Sequence, residues 1–136
     1  MIVVDTNVII YLCIGGDQAA LAEDVLFKDN EWHAPLLWRS EFRNVMAGFL
    51  RRGTFDVERA GRILAEAETL LFEREHVLGY QDVLPLVNAS TCSAYDCEFV
   101  ALATALQVPL VTNDRQVLAA FPETAQSMRT FLDAGA

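Results

Sequence analysis

The sequence is short of positive charge, and above all of lysine. Ten of its 136 residues are Lys or Arg, and Lys28 is the single lysine. Nineteen acidic residues give a formal net charge of −9. So acidic a protein does not adhere loosely to nucleic acid or to an anionic membrane surface. Specific action on a polyanion remains compatible with this charge, because bound cations can reverse the sign of a local acidic site.

Paired cysteines and long apolar runs are also missing. Cys13, Cys92 and Cys97 are odd in number and form no C-x-x-C pair, which is typical of reduced thiols in a cytosolic protein. No basic residue precedes the apolar N-terminus and Asp5 interrupts it, so we expect no secretory signal. No apolar run approaches the roughly 18 residues of a membrane span. We therefore expect a soluble, cytoplasmic protein without a membrane partner.

Apolar residues are plentiful, at 53% of the chain, and their spacing predicts an α/β fold. At this length we expect one domain over residues 1–136, with a core that needs no metal or disulfide. Short apolar runs predict strands at 2–4, 32–34, 76–78 and 109–112, with an edge strand near 126–128. A first helix is predicted to include Val8–Leu12 and to end at Gly15. Further helices are predicted at 17–27, 36–52, 56–72, 82–89, 93–106 and 115–120. This alternation predicts a mainly parallel central sheet of four to five short strands, flanked by helices in a three-layer arrangement.

The stretch from Ser93 to Asp114 is predicted to be the centre of the domain. Ser93 begins an S-x-x-D helix start, and the helix that follows is apolar on most faces. Pro109 is predicted to close this helix before the short strand. Asp96 and Asp114 then stand at the two ends of buried elements.

Four acids are candidates for a shared site. Asp5 and Asp114 directly follow predicted strands, and parallel sheets place their active sites beyond the carboxyl ends of strands. Taken singly, Asp5, Asp96 and Asp114 are more simply explained as helix caps, and Glu41 is explained equally well as a partly buried surface residue. Taken together, clustered carboxylates need protons or a divalent cation, and oxygen-only ligands favour Mg²⁺ or Mn²⁺. Such a cation typically serves phosphoryl chemistry.

Four motifs in this order resemble a family. They are Asp5-Thr6-Asn7, Arg39-Ser40-Glu41, Tyr95-Asp96 followed by Val100–Ala103, and Thr112-Asn113-Asp114. Together they resemble the PIN domain and, more narrowly, the VapC-type toxins of bacterial and archaeal toxin–antitoxin pairs. The resemblance implies a PIN-like fold and a Mg²⁺- or Mn²⁺-dependent ribonuclease acting on single strands.

The resemblance also implies roles for individual residues and partners. The implied catalytic residues are Asp5, Glu41, Asp96 and Asp114. The implied metal ligands are Asp5, Asp96 and Asp114, with Thr6, Asn7 and Thr112 in support. An RNA substrate, an antitoxin protein and a homodimer are implied as partners. Arg115-Gln116 stand where many relatives carry a further acid, so the number of metals, one or two, stays open. Glu98 could lend a further oxygen, but it lies two residues after Asp96 and is expected to face away from the site.

Positive charge is concentrated on one stretch. Six arginines lie between Arg39 and Arg62, against three acids, for a local formal charge of +3. The pattern fits a phosphate-positioning surface, with Arg39 and Arg43 beside Glu41 as the candidate RNA contacts. It fits a solvated outer face of two helices equally well.

Two other functions are weighed against a nuclease. A phosphatase of the haloacid-dehalogenase kind also begins with an Asp after its first strand, but it needs a second Asp where this chain has Asn7. It also needs a lysine for the phosphate, and Lys28 is the only one. A catalytically silent PIN-like module that binds RNA or protein is the alternative from another class, and the presence of all four acids disfavours it.

Overall fold

A five-stranded parallel sheet forms the centre of the computed structural model, which describes residues 1–135. The strands are β1 (Ile2–Val4), β2 (Trp32–Pro35), β3 (Glu75–His76), β4 (Leu110–Val111) and β5 (Ala125–Gln126). Their order across the sheet is β3-β2-β1-β4-β5, and every neighbouring pair is parallel. The predicted α/β class with a mainly parallel sheet flanked by helices is confirmed.

Eight helices connect and flank the strands within the described residues. They are α1 (Thr6–Ile14), α2 (Ala19–Lys28), α3 (Trp38–Arg51), α4 (Val57–Leu70), α5 (Tyr80–Asn88), α6 (Ala94–Leu106), α7 (Arg115–Ala120) and α8 (Met128–Asp133). Gly15, with φ of 107°, ends α1 as predicted, because this backbone conformation favours glycine.

Strand β1 lies at the point where the order of the strands reverses. The chain first adds β2 and β3 on one side of β1 and then β4 and β5 on the other. Val4 pairs with Val111, so the carboxyl ends of β1 and β4 lie side by side. Such a reversal, a topological switch point, opens a crevice at the carboxyl end of a parallel sheet, which is where such folds bind ligands.

Helix α6 packs against β1, β2 and β4, as its apolar sequence predicted. Its buried residues are Cys97, Phe99, Val100, Ala101, Leu102 and Ala103. The prediction that Pro109 closes the helix was wrong. Gln107 ends it instead, in the left-handed conformation with φ of 57°, and Val108 donates its backbone N–H to the carbonyl of Ala103.

The remaining differences lie at the edges of the sheet. Strand β3 is Glu75–His76 rather than His76–Leu78, and Val77 is 83% exposed. Strand β5 begins one residue before its predicted start, and Met128 opens α8, which was not predicted. The Ser127 side chain caps α8, and Lys28 donates hydrogen bonds to the carbonyls of Phe131 and Ala134.

No helix within residues 1–135 is both long enough and apolar enough to cross a membrane.

Candidate active site

The four predicted acids line one pocket at the carboxyl end of the sheet. The pocket has a volume of about 240 Å³ and is lined by Asp5, Thr6, Asn7, Ile10, Glu41, Val45, Asp96 and Asp114. Four different elements supply the acids: the ends of β1 and β4, and the helices α3 and α6. Val45 is 38% exposed and contributes an apolar wall. The catalytic role of the acids stays a prediction, but the structure brings all of them together.

Asp5 is held on both carboxylate oxygens. Its backbone N–H donates to the carbonyl of Val111 at 3.0 Å, which continues the β1–β4 ladder past the last strand residue. The Thr6 N–H donates to Oδ1 at 2.8 Å, and the Thr112 hydroxyl donates to Oδ2 at 2.6 Å. Burial, together with the charges of Glu41 and Asp96, raises the pKa of Asp5 from 3.8 to about 6 against the opposing effect of the two hydrogen bonds.

Thr112 links Asp5 to Asp114. Its side chain is fully buried, and its hydroxyl accepts the Asp114 N–H at 3.0 Å while donating to Asp5. The Asp114 Oδ1 accepts the N–H groups of Gln116 and Val117, at 2.8 and 3.2 Å. Asp114 is therefore both the cap of α7 and a wall of the pocket, so the two explanations of this residue are compatible.

Asp96 is the acid with the freest carboxylate. It is the third residue of α6, and its backbone N–H donates to Ser93 Oγ at 3.0 Å, as the S-x-x-D pattern predicted. Within residues 1–135, however, the Asp96 carboxylate accepts no hydrogen bond. The reciprocal half of a capping box is thus not formed, and the carboxylate is left facing the pocket.

Glu41 lies one turn into α3 and is half-buried. Thr6 Oγ1 donates to its Oε1 at 2.7 Å. Burial raises the pKa of Glu41, and the charges of Asp96 and Glu98 raise it further. Glu98 does not line the pocket, but it is close enough to act on Glu41, so the expectation that it faces away holds only in part.

A second set of hydrogen bonds joins α1 to the segment after β4. Asn7 Oδ1 accepts the Asn113 N–H at 3.4 Å, and Asn113 Nδ2 donates to the Tyr11 hydroxyl at 2.9 Å. Sequence reasoning missed Tyr11 and gave Asn113 no role. The available signal was the spacing of Tyr11, one helical turn after Asn7.

The residues of the pocket fit a hard divalent cation in their donor chemistry. Among the described residues, no Lys, Arg or His lines the pocket, so nothing basic neutralises its four carboxylates. All the available ligands are oxygens, which suits Mg²⁺ or Mn²⁺. Nevertheless, no three acids within residues 1–135 already stand as a coordination set. Asp5 and Asp114 are turned toward their own hydrogen-bond donors, so binding needs a rearrangement of these side chains.

The two candidate RNA-binding arginines lie outside the pocket. Arg39 donates to both oxygens of Glu75, at 2.6 and 2.7 Å, and lies 3.4 Å from Glu68. Arg43 is 3.9 Å from Glu68 and its side chain is 58% exposed. Arg39 is therefore already paired with acids of the chain, whereas Arg43 remains largely open to solvent.

Fold and pocket together define a class: an α/β protein with an all-oxygen acidic pocket at the switch point of a parallel sheet. The family model of the PIN domain matches residues 2–124, and the chain belongs to the PIN domain family. PIN domains are generally metal-dependent nucleases and commonly bind RNA.

Solved structures agree on the fold. The crystal structure of PAE2754 from Pyrobaculum aerophilum is similar to this chain with a TM-score of 0.72 and 22% sequence identity. The similarity covers 96% of this chain and 92% of that chain. Among curated proteins, the comparison finds no match.

Proposed function

We propose that this chain is a Mg²⁺- or Mn²⁺-dependent endoribonuclease that hydrolyses RNA phosphodiester bonds at the acidic pocket. One observation carries the proposal. Within residues 1–135, four carboxylates share a small pocket that no basic side chain lines, and burial together with the neighbouring charges raises the pKa of Asp5 to about 6. Such an arrangement by itself destabilises the folded chain, and a bound cation would offset the repulsion between the carboxylates.

Asp5, Asp96 and Asp114 are the residues that would hold the cation. When bound, it would supply positive charge to the scissile phosphate and acidify a water molecule. The Thr6 and Thr112 hydroxyls keep Asp5 and Glu41 oriented, and Asn7 ties α1 to the segment that carries Asp114. These residues position the acids rather than react.

Glu41 is the proposed general base. Its pKa is raised toward neutral pH, and a carboxylate with a higher pKa accepts a proton more readily. The attacking water loses its proton to Glu41 as its oxygen bonds to phosphorus. The bond between phosphorus and the 3′-oxygen breaks, and that oxygen takes up a proton. The products carry a 3′-hydroxyl and a 5′-phosphate.

The wider role is proposed from the motif resemblance. It suggests the toxin of a toxin–antitoxin pair, with a homodimeric assembly and a cognate antitoxin as protein partner. Arg39 and Arg43 are proposed as RNA contacts near Glu41, and Arg43 is the better placed because Arg39 is held by Glu75.

The test combines cleavage with metal binding. Single-stranded RNA is incubated with the wild type, with Asp96→Asn, and with Asp24→Asn, which removes the same charge from the exposed side of α2. We expect cleavage only with Mg²⁺ or Mn²⁺, lost in Asp96→Asn and kept in the control, with 5′-phosphate ends on the products.

Thermal melts with and without the cation separate the alternatives. A ligand that binds only the folded state stabilises it by about 2.7 kcal/mol at a hundred times its Kd. A metal-dependent rise in Tm without any cleavage would support the silent binding module. Cleavage by Asp96→Asn at the wild-type rate would sink the proposed assignment.

A further inference from the structure

An aromatic and basic cluster lies at the turn between α3 and α4, away from the four acids. The Arg52 guanidinium covers the Phe49 ring at 4.8 Å, and the Arg59 guanidinium covers the Phe55 ring at 5.3 Å. The two rings are themselves 5.4 Å apart. The rings are tilted by 49° to each other, so these four residues, here called the Arg–Phe stack, are a series of neighbouring planar groups with a cation at each end.

The arginines of the stack are unpaired in a chain rich in acids. Within residues 1–135, neither Arg52 nor Arg59 lies within ion-pair distance of a carboxylate, whereas Arg39, Arg43 and Arg62 do. In a protein of net charge −9, two exposed cations held against aromatic rings are not explained by internal neutralisation. Their guanidinium groups remain available to an external anion.

Gly48 helps to set the position of Arg52. A Cβ at this position would lie 3.2 Å from Arg52 Nη1. The missing side chain therefore lets the arginine fold back along α3 and cover Phe49. The guanidinium that lies over the Phe49 ring is a planar group on which an unpaired base can stack.

A polar cavity adjoins the stack. It has a volume of about 260 Å³ and is lined by Phe55, Arg59, Arg62, Glu66, Cys13 and Ile14, among others. Arg62 is paired with Glu58 at 3.0 Å, so Arg59 is the cavity's unpaired cation. The cavity thus combines an aromatic face, a free guanidinium and room for a small planar or anionic group.

Two helices lead from the acidic pocket to this cluster. On α3, Glu41 and Val45 line the acidic pocket, and Phe49 follows one turn after Val45 on the same face. On α1, Ile10 lines the acidic pocket, and Cys13 and Ile14 line the cavity one turn further on. Glu41 and Phe49 are separated by about 12 Å along the helix, a distance that a few nucleotides span.

We infer that the Arg–Phe stack and its cavity form a second binding site for the same single-stranded RNA, beyond the scissile phosphate. This inference rests on the proposed function, because it names the path that the substrate takes from the acidic pocket. Phosphates contact Arg52 and Arg59, and a base stacks on the planar guanidinium groups that cover Phe49 and Phe55. An acidic protein segment would also suit the charge, but it gains nothing from stacked planar groups.

The first measurement is RNA binding in chelating buffer, where no cleavage occurs. Fluorescence anisotropy follows a labelled oligouridylate of roughly 12 nucleotides, within the usual span of single-strand sites. We compare Arg52→Ala/Arg59→Ala with Arg51→Ala/Arg129→Ala, which removes the same charge from exposed arginines outside the stack, and with Phe55→Leu, which keeps the apolar contact. Melting curves check that each variant is folded.

We expect the stack double variant to bind about tenfold more weakly and its salt slope to fall by about 1.4, for two lost phosphate contacts. Phe55→Leu should weaken binding without changing that slope. In cleavage assays the stack variant should raise KM and retain kcat, because uniform binding is lost. The control double variant should stay close to the wild type in all three measurements.

The inference is overturned if the two double variants bind alike, if the wild type does not bind the RNA, or if oligoglutamate competes as well as RNA of equal charge. Failure of the proposed function looks different. The RNA would bind and depend on the stack, but no metal would support its cleavage.

Discussion

Replacing Asp5 by Asn should abolish cleavage and yet stabilise the metal-free protein above about pH 6. Burial raises the pKa of this carboxyl from 3.8 to about 6 in the folded chain. The folded state therefore holds the proton of Asp5 more tightly than the unfolded state does. The stability that this proton provides is complete below pH 3.8 and is lost as the pH rises through about 6.

The size of the effect follows from the shift. A rise from 3.8 to about 6 corresponds to about 3 kcal/mol of stability lost from the wild type between these pH values. The asparagine cannot ionise, so it avoids this loss. It keeps one acceptor oxygen and loses the other, so roughly 1 kcal/mol from a lost hydrogen bond opposes the gain. Near pH 8 we expect a net gain of about 2 kcal/mol.

The assay is chemical or thermal unfolding of the wild type and Asp5→Asn in EDTA from about pH 4 to 8. The difference between the two curves reports Asp5 together with its electrostatic coupling to Glu41 and Asp96, because the remaining titrating groups are shared. Asp24→Asn serves as the control on the exposed side of α2 and should show a difference independent of pH. If the Asp5→Asn difference is equally flat, the carboxyl is not desolvated as described and the reasoning fails.

Two further changes test how the site is held together. Thr112→Val keeps the shape of a fully buried residue but leaves the Asp114 N–H and Asp5 Oδ2 without their partner. The substitution should lower the free energy of unfolding by about 2 to 3 kcal/mol and move the acid limb of the pH–rate profile to higher pH. Thr112→Ser keeps the hydroxyl and should behave as the wild type. Equal profiles for the valine and serine variants would contradict this role. Ser93→Ala and Ser127→Ala each remove a helix cap, and each should lower the free energy of unfolding in urea by about 1 kcal/mol. Only Ser93→Ala should also weaken metal binding, because it loosens the helical turn that carries Asp96. A weaker metal affinity in both would show that the loss is global.

Much of the fold was predictable because its strands are short, apolar and buried. Ile2–Val4 and Leu110–Val111 are each bounded by an acid or a proline, and all of their residues are buried. The positions of Asp5 and Asp114 followed from this, because residues after adjacent parallel strands share one edge of the sheet. That β1 pairs directly with β4 was not in the local pattern, since it depends on where the intervening helices pack.

The failures concern contacts between distant segments. Strand β3 begins at Glu75 rather than His76, where the carboxylate accepts hydrogen bonds from the Trp38 indole and the Arg39 guanidinium. Apolar periodicity cannot detect a strand position fixed by an ion pair across 36 residues. For the same reason the sequence favoured Arg39 as an RNA contact, when its guanidinium is already paired with Glu75.

Helix capping and the proposed chemistry use the same acids, but capping occupies the carboxylate oxygens of each acid to a different extent. Asp114 gives one oxygen to the N–H groups of α7, and Asp5 gives its two oxygens to Thr6 and Thr112. Asp96 takes part in its helix start through the backbone N–H alone, so its carboxylate remains free. A cation entering the pocket therefore meets one free carboxylate first, and must compete with existing donors for the others. On this reasoning Asp96→Asn removes more metal affinity than Asp114→Asn, although both residues line the same pocket.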